Sequence, residues 1–174
     1  MTEEKTMRRN IIDRRVLLSA LPVGALAVAG PALAAGQTGQ PSANLAIIQG
    51  LYANFARGDI PAVLGAMDDG IVWNEAEGNP YADLNPYVGP QAVLEGLFAR
   101  VGGEWEGFAV HIDQLFDAGD TITAVGRYSG VYRATGRATT NQVAHVWTLN
   151  GGKIVSFQQY ADTRALAWVM GDID

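Results

Sequence analysis

The sequence contains no cysteine and only two histidines among its 174 residues. Without cysteine the chain can form no disulfide scaffold, no thiolate metal site and no cysteine nucleophile. His111 and His145 belong to no cluster of acidic residues and histidines at the spacing of metal ligands, so we expect no metal site. The sequence also lacks a Gly-x-Ser-x-Gly elbow and a phosphate-binding glycine fingerprint. We therefore expect neither a metal nor an organic cofactor.

Basic residues are scarce beyond the first 34 positions. The chain has a net charge of −6, and five of its 12 Lys and Arg residues lie in residues 1–34, so the remainder carries about −8. An acidic domain without a basic stripe argues against nucleic acid and against an anionic membrane surface as partners.

The first 34 residues are typical of an export signal. The Arg14–Arg15 pair precedes an apolar, alanine-rich run over 16–35, and residues 32–34 are small enough for a signal peptidase. The pair resembles the twin-arginine export pattern, although Asp13 stands where that pattern usually has Ser or Thr. The alternative is an uncleaved membrane anchor, which the Pro and Gly residues of the run disfavour. We predict an exported protein, periplasmic or secreted, with no stable membrane anchor after signal removal.

The remainder divides into a flexible linker over 35–43 and one domain over 44–174. Apolar spacing predicts helices near 45–57, 60–67 and 91–101 and a short terminal helix near 163–170. Alternating and β-branched segments predict strands over 71–75, 108–116, 121–134, 137–149 and 154–160. The loop 76–90 is long enough to form a binding wall. Three helices followed by antiparallel strands predict an α+β fold in which a strongly curved sheet wraps the helices and encloses a pocket.

The hairpin over 143–162 carries polar side chains among aromatic ones. Its two strands flank Asn150-Gly151-Gly152, a strong turn signal. A three-residue loop would pair His145 with Phe157 and place both on one face with Trp147 and Gln159, whereas a two-residue loop would group His145 with Ser156 and Gln158. His145 and Trp147 share a face in either register, because side chains alternate along a strand. Such a face is typical of a lined cavity.

A series of short motifs resembles the SnoaL-like and ketosteroid-isomerase-like branch of the nuclear transport factor 2 (NTF2-like) superfamily. The resemblance covers about 44–170 and rests on Leu51-Tyr52, Arg57-Gly58-Asp59-Ile60, Asp68-Asp69, Val72-Trp73, Tyr87-Val88-Gly89-Pro90, Gly151-Gly152-Lys153-Ile154-Val155 and Tyr160-Ala161-Asp162. It implies a cone-shaped fold with a deep apolar pocket, commonly a homodimer through the outer sheet face. Isomerases, polyketide cyclases, hydrolases, dehydratases and plain binding proteins share this fold, so the fold does not choose the activity.

The resemblance carries over only part of a catalytic set. The family's acid on the oxyanion side falls at His145, and its general base falls at Asn74 by spacing or at Glu75 with a shift of one residue. The isomerase tyrosine of the first helix falls at Leu51. Because this triad is incomplete, we do not expect steroid isomerisation.

Glu75 and His145 are the predicted catalytic residues. Glu75 follows Trp73 at period two, and in an apolar pocket desolvation would raise its pKa and make it a general base near neutral pH. His145 could donate a hydrogen bond to a developing enolate or shuttle the proton with Glu75. The alternatives are a solvated carboxylate at the strand end and a buried histidine satisfied by Gln159 or by a tyrosine hydroxyl.

Aromatic and amide side chains form the predicted substrate wall: Trp73, Asn74, Tyr81, Tyr87, Trp147, Phe157 and Gln159. We expect an exported enzyme of the isomerase, cyclase or lyase type that performs cofactor-free acid/base chemistry on a small hydrophobic carbonyl compound. The alternative is a non-catalytic protein of the same fold that binds a hydrophobic ligand or serves as a dimeric interaction module.

Overall fold

The computed structural model describes residues 41–173. The predicted export signal over 1–34 and residues 35–40 of the predicted linker lie outside the described residues. Within 41–173, no helix is long and apolar enough to cross a membrane.

Two helices open the domain, and each begins at a side chain that caps its first turn. Helix α1 is Ala43–Ala56, and the Ser42 hydroxyl accepts the N–H of its third residue. The side-chain amide of Asn44, the second residue of the helix, donates to the carbonyl of Gly119. Helix α2 is Ile60–Gly65, and the carboxylate of Asp59 caps it by accepting the N–H of Ala62.

The segment after the first strand is more ordered than a loop. It contains a 3₁₀ helix, Pro80–Leu84, and then the short strand β2, Tyr87–Val88. A continuous helical run follows, made of α3 (Pro90–Val93), a π-helical turn (Leu94–Phe98) and α4 (Ala99–Glu104). A π turn inserts an extra residue into a helix and is frequent near functional sites, and here it carries the buried Leu97.

Six strands form one sheet in the order β2-β1-β6-β5-β4-β3. Its long members are β1 (Met67–Asn74), β3 (Trp105–Ala118), β4 (Thr121–Tyr132), β5 (Ala138–Asn150) and β6 (Lys153–Ala161). Neighbouring strands are antiparallel except β1 and β6, which are parallel. Register shifts within β3 and between β5 and β6 bend the sheet. Helix α5, Thr163–Met170, follows β6, and the predicted α+β class is confirmed.

The β5–β6 hairpin has a tighter turn than expected and a compensating bulge. The chain turns through Gly151 and Gly152, with Asn150 opposite Lys153, and Val155 is then left unpaired. His145 therefore lies opposite Gln159, not opposite Phe157 as a three-residue loop predicted. The two-residue difference leaves the side-chain faces unchanged, because strand faces alternate with period two. The predicted shared face is confirmed, with all four side chains buried: His145, Trp147, Phe157 and Gln159.

The inner face of the sheet packs on the helices and forms one hydrophobic core. Trp73 of β1 contacts Phe157 and Trp147, with ring centroids 3.8 and 5.5 Å apart. Ile48 and Leu51 of α1 are buried in the same core. Full burial of a large apolar side chain stabilises the fold by roughly 1.5–3 kcal/mol. These packed aromatic rings hold in place the strand ends that carry the polar residues of the cavity.

Candidate functional site

A cavity of about 80 Å³ lies between the inner face of the sheet and the helices. Aromatic rings form most of its wall, contributed by α1, the 3₁₀ helix, the π turn and strands β1, β3, β4, β5 and β6. A small set of polar side chains converges on it: Glu75, Asn79, His145, Gln159 and the hydroxyls of Tyr52 and Tyr128. An apolar wall with few, converging polar groups is typical of a site for a small organic ligand.

Seven of the predicted site residues line this cavity: Trp73, Glu75, Tyr81, His145, Trp147, Phe157 and Gln159. Asn74 and Tyr87 do not. Asn74 lies opposite Gln158 of β6, and because it precedes Glu75 by one residue it faces the outer side of the sheet. Tyr87 is buried beneath the 3₁₀ helix, where its hydroxyl donates to the carbonyl of Tyr81 at 2.5 Å.

Glu75 is a buried carboxyl group, with 4% of its surface exposed. Its Oε1 accepts the indole N–H of Trp73 at 2.8 Å, and its Oε2 accepts an amide N–H of Asn79 at 2.9 Å. Within 41–173, Glu75 forms no salt bridge, and no group of acidic and histidine side chains could hold a metal ion. Burial raises the pKa of Glu75 to about 7, against the opposing hydrogen bond from Trp73. The interpretation as a solvated rim carboxylate is therefore excluded.

Local structure holds this carboxyl group in place. The amide of Asn85 bonds both backbone groups of Glu75, accepting its N–H at 3.0 Å and donating to its carbonyl at 2.8 Å. Asn79 caps the 3₁₀ helix by accepting the N–H of Tyr81 at 3.0 Å while its own amide donates to Glu75. The strand end and the following turn are thus locked together, which limits the conformations open to the Glu75 side chain.

Gln159 joins the carboxyl side of the cavity to the histidine side. Its Oε1 accepts from the N–H of Ala76 at 3.2 Å and from the amide of Asn79 at 2.8 Å. Its Nε2 donates to the hydroxyl of Tyr128 at 2.9 Å. A buried polar chain in which every member has a partner is rigid, because breaking any link leaves an unsatisfied group.

His145 lies between two tyrosine hydroxyls. Its Nε2 is 2.6 Å from the hydroxyl of Tyr128, and its Nδ1 is 2.7 Å from the hydroxyl of Tyr52. Burial lowers its pKa to about 3, so the imidazole is neutral at physiological pH. The alternative in which a tyrosine hydroxyl satisfies His145 is the arrangement observed. His145 makes no direct hydrogen bond to Glu75, because both of its ring nitrogens are occupied.

A count of hydrogens gives this polar chain a free donor. The neutral imidazole carries one N–H and the two tyrosines carry one O–H each, so three hydrogens serve two contacts. Each tyrosine oxygen also accepts a hydrogen bond, Tyr52 from Trp147 at 2.9 Å and Tyr128 from Gln159 at 2.9 Å. One hydroxyl hydrogen, on Tyr52 or Tyr128 according to the tautomer of His145, has no acceptor among the hydrogen bonds of 41–173. Since both tyrosines line the cavity, that hydrogen is available to a molecule inside it.

Three of these residues were not predicted as site residues: Tyr52, Asn79 and Tyr128. Tyr52 of α1 contacts the sheet through its hydroxyl, which hydrogen-bonds with His145 and Trp147. Tyr128 continues an alternation in β4, in which Ile122 and Ala124 also point inward, and this period-two pattern could have identified it. Asn79 precedes Pro80, a combination that favours a helix start. Its contact with Gln159, 80 positions later, has no local signal.

Comparisons with known proteins identify the family and the fold of the chain. Residues 48–157 match the model of the SnoaL-like domain family, and no curated protein matches the sequence. An NTF2-like protein of Burkholderia thailandensis E264 is 39% identical, with 76% of this chain and 98% of that chain covered and a TM-score of 0.70.

Two further solved structures share the fold at lower identity. TerC, co-crystallised with polyporic acid, is 24% identical, with 74% of this chain and 98% of that chain covered and a TM-score of 0.66. A candidate SnoaL-like polyketide cyclase of Jannaschia sp. CCS1 is 14% identical, with 80% of this chain and 100% of that chain covered and a TM-score of 0.67. At these identities the likeness is one of fold.

Proposed function

Because the chain belongs to the SnoaL-like domain family, we propose that it binds a small hydrophobic carbonyl compound in its cavity and transfers a proton on it without a cofactor. The observation that carries this proposal is the state of Glu75. A carboxyl group with a pKa of about 7, buried in an apolar cavity, is adapted to accept and return a proton near neutral pH. The nearby hydroxyls of Tyr52 and Tyr128 provide the complementary donor.

The proposed reaction moves one proton and keeps the electrons balanced. The Glu75 carboxylate takes a proton from the carbon next to the carbonyl group, and the electron pair of that C–H bond moves toward the carbonyl oxygen to give an enolate. The free tyrosine hydroxyl donates a hydrogen bond to this oxygen. The protonated Glu75 then returns the proton to a different carbon. Alternatively, the enolate carbon attacks a second carbonyl carbon of the same ligand, the π electrons of that carbonyl move to its oxygen, and this oxygen takes the proton from Glu75.

His145 acts in this scheme through its neighbours. With a pKa of about 3 the neutral imidazole does not accept the proton, and its two nitrogens orient the hydroxyls of Tyr52 and Tyr128. Burial raises the pKa of both tyrosines, so their hydroxyls remain protonated and act as donors. The co-crystallisation of the structural neighbour TerC with polyporic acid supports a small organic ligand in this fold.

Solvent-deuterium exchange tests the proton transfer directly. β-Tetralone, an apolar aromatic ketone with exchangeable protons next to its carbonyl, is incubated with the protein in D₂O and followed by NMR. We expect exchange above the buffer rate and a loss of roughly 10²–10⁴-fold in Glu75→Gln. Glu77→Gln is the matched control, because Glu77 is two residues away and exposed. Equal rates in the parent and in Glu75→Gln would contradict the assignment of Glu75 as the base.

A second candidate is a non-catalytic binding protein of the same fold. It is favoured by one observation: both Glu75 oxygens already accept hydrogen bonds, from Trp73 and from Asn79. In that case the carboxyl group only organises the cavity. Binding of β-tetralone with equal affinity to the parent and to Glu75→Gln, without exchange above the buffer rate, would favour this candidate.

Homodimerisation through the outer face of the sheet is part of the proposal. Exposed or half-buried apolar side chains lie on this face, which is the face turned away from the helices: Val72, Val88, Phe116, Val125, Val146 and Tyr160. Light scattering tests the assembly. We expect Tyr160→Glu to shift a dimer toward monomer and Leu84→Glu, an exposed site in the 3₁₀ helix, to leave it unchanged.

Export is proposed from residues 1–34 alone. Replacing Arg14 and Arg15 together by lysine is expected to retain the full chain inside the cell, because the twin-arginine pattern depends on this pair. Fractionation of cells expressing both forms measures the effect. Equal export of the two forms would refute the twin-arginine route.

A further inference from the structure

The cavity continues into an open groove toward the surface. The groove shares five lining residues with the cavity: Phe55, Phe98, Val101, Trp105 and Phe108. Its remaining wall is formed by the start of α2, by the helical run from the π turn to α4 and by the ends of β3 and β4, with Ile60, Leu94, Ala99, Gly102, Gly107 and Arg133. The apolar residues between α4 and the start of β3 thus belong to the walls of both spaces.

The volumes of the two spaces argue that a ligand occupies both. The cavity holds about 80 Å³, which is well below the roughly 300–1,000 Å³ that sites for drug-sized ligands provide. The groove adds about 590 Å³, which lies within that range. A compound with more than a small ring system therefore extends from the cavity into the groove.

Arg133 is the one charged residue among the described residues that line the groove. Its Nε donates to the carbonyl of Trp105 at 3.1 Å, which holds the guanidinium beside the groove. Its Nη1 lies 3.8 Å from Glu106 Oε2, and both side chains are more than half exposed. This pair is long and solvated, so it competes weakly with a better acceptor. A guanidinium fixed at its Nε offers its Nη hydrogens to a planar anion.

We propose that the ligand is an elongated apolar anion, whose ring system lies in the cavity and whose acidic group binds Arg133 in the groove. The inference rests on the proposed ligand-binding function and adds a second recognition point to it. Apolar surface supplies the affinity along the shared aromatic wall. The charge at Arg133 fixes the orientation, because a carboxylate or sulfonate gains a charge-assisted hydrogen bond only at that end.

A pair of fluorescent probes tests the charge. Anilinonaphthalene sulfonate and neutral phenylnaphthylamine share the same rings and differ in the sulfonate group. We expect the parent protein to prefer the anionic probe by roughly tenfold at low salt, an advantage that falls as salt is added. Arg133→Gln should abolish the preference, Arg133→Lys should keep most of it, and Arg164→Gln, an exposed arginine on α5, should leave it unchanged. An unchanged preference in Arg133→Gln would overturn the anion site.

A pair of glycine substitutions tests the route. A side chain at Gly102 or at Gly103 meets nothing within 4 Å of its Cβ, but only Gly102 lines the groove. We expect Gly102→Leu to weaken binding of both probes at least several-fold and Gly103→Leu to leave it unchanged. Equal effects of the two substitutions would overturn the entrance. Failure of both probes to bind the parent would contradict ligand binding itself, whereas binding that is unaffected by the substitutions at Arg133 and Gly102 contradicts this inference alone.

Discussion

Replacing Glu75 by glutamine should change how the stability of the domain depends on pH. The pKa of Glu75 is raised from its ordinary value of 4.5 to about 7 by burial. Between these two values the folded state holds a proton that the unfolded state has released. The folded state then binds more protons than the unfolded state, so the free energy of unfolding falls as pH rises from 4.5 to 7 and is constant above that.

The expected size follows from the same two values. A pKa difference between 4.5 and about 7, at about 1.4 kcal/mol for each tenfold change in proton affinity, corresponds to a loss of about 3 kcal/mol in the free energy of unfolding as pH rises. In Glu75→Gln this loss is absent. A separate penalty independent of pH remains, because Asn79 donates to Glu75 Oε2 and meets an amide N–H₂ group in the variant. When the stability difference between the variant and the parent is plotted against pH, the first effect appears as a slope and the second as a constant offset.

Urea denaturation at a series of pH values from 4.5 to 8 measures both. The stability of Glu75→Gln relative to the parent should rise by about 3 kcal/mol between pH 4.5 and 7. In Glu77→Gln, which removes an exposed carboxyl group from the same segment, this rise should be absent. A difference between Glu75→Gln and the parent that stays constant over the whole pH range would refute the assignment of a raised pKa to Glu75.

Three further predictions concern the surrounding framework. Tyr128→Phe removes an acceptor and a donor from the buried polar chain and should lower stability by about 1–3 kcal/mol, measured by urea denaturation. The same substitution should also lower the rate of β-tetralone exchange. NMR of the imidazole should show neutral His145 at pH 5, because burial holds its pKa near 3; a charged ring at that pH would contradict the buried site. Gly96→Ala should lower the melting temperature, since its Cβ would lie 2.6 Å from the ring of Tyr87, whereas Gly50→Ala in α1, with open space around the Cβ, should raise it slightly.

Local patterns predicted the parts of this fold that depend on period and on turn chemistry. The alternation along β5 placed His145 and Trp147 on one face, and apolar spacing predicted helices where α1 and α2 lie. Alternation along the predicted strand 71–75 likewise predicted that the side chains of Glu75 and Trp73 share a face. These features follow from a few neighbouring residues, so a single sequence contains them.

The parts that could not be predicted depend on contacts between distant segments. The sequence does not reveal that β1 lies parallel to β6, nor that Asn79 reaches Gln159. The role of His145 also changed for this reason, because its two partners, Tyr52 and Tyr128, come from α1 and β4. Only the folded domain, with α1 packed on the curved sheet, brings these groups within hydrogen-bonding distance and removes the water that would keep the imidazole basic.

The unpaired Val155 determines which side chains of β6 face the cavity. Two glycines form the turn, and one residue after it is left unpaired. Because of this skip, the side chains of Phe157 and Gln159 point inward. If β6 paired without this skip, Val155 would lie opposite Thr148, and Ser156 and Gln158 would turn toward the cavity, although every residue of the site would still be present in the chain. The chemistry of the cavity is therefore encoded by the spacing of β6 as well as by the identity of its side chains.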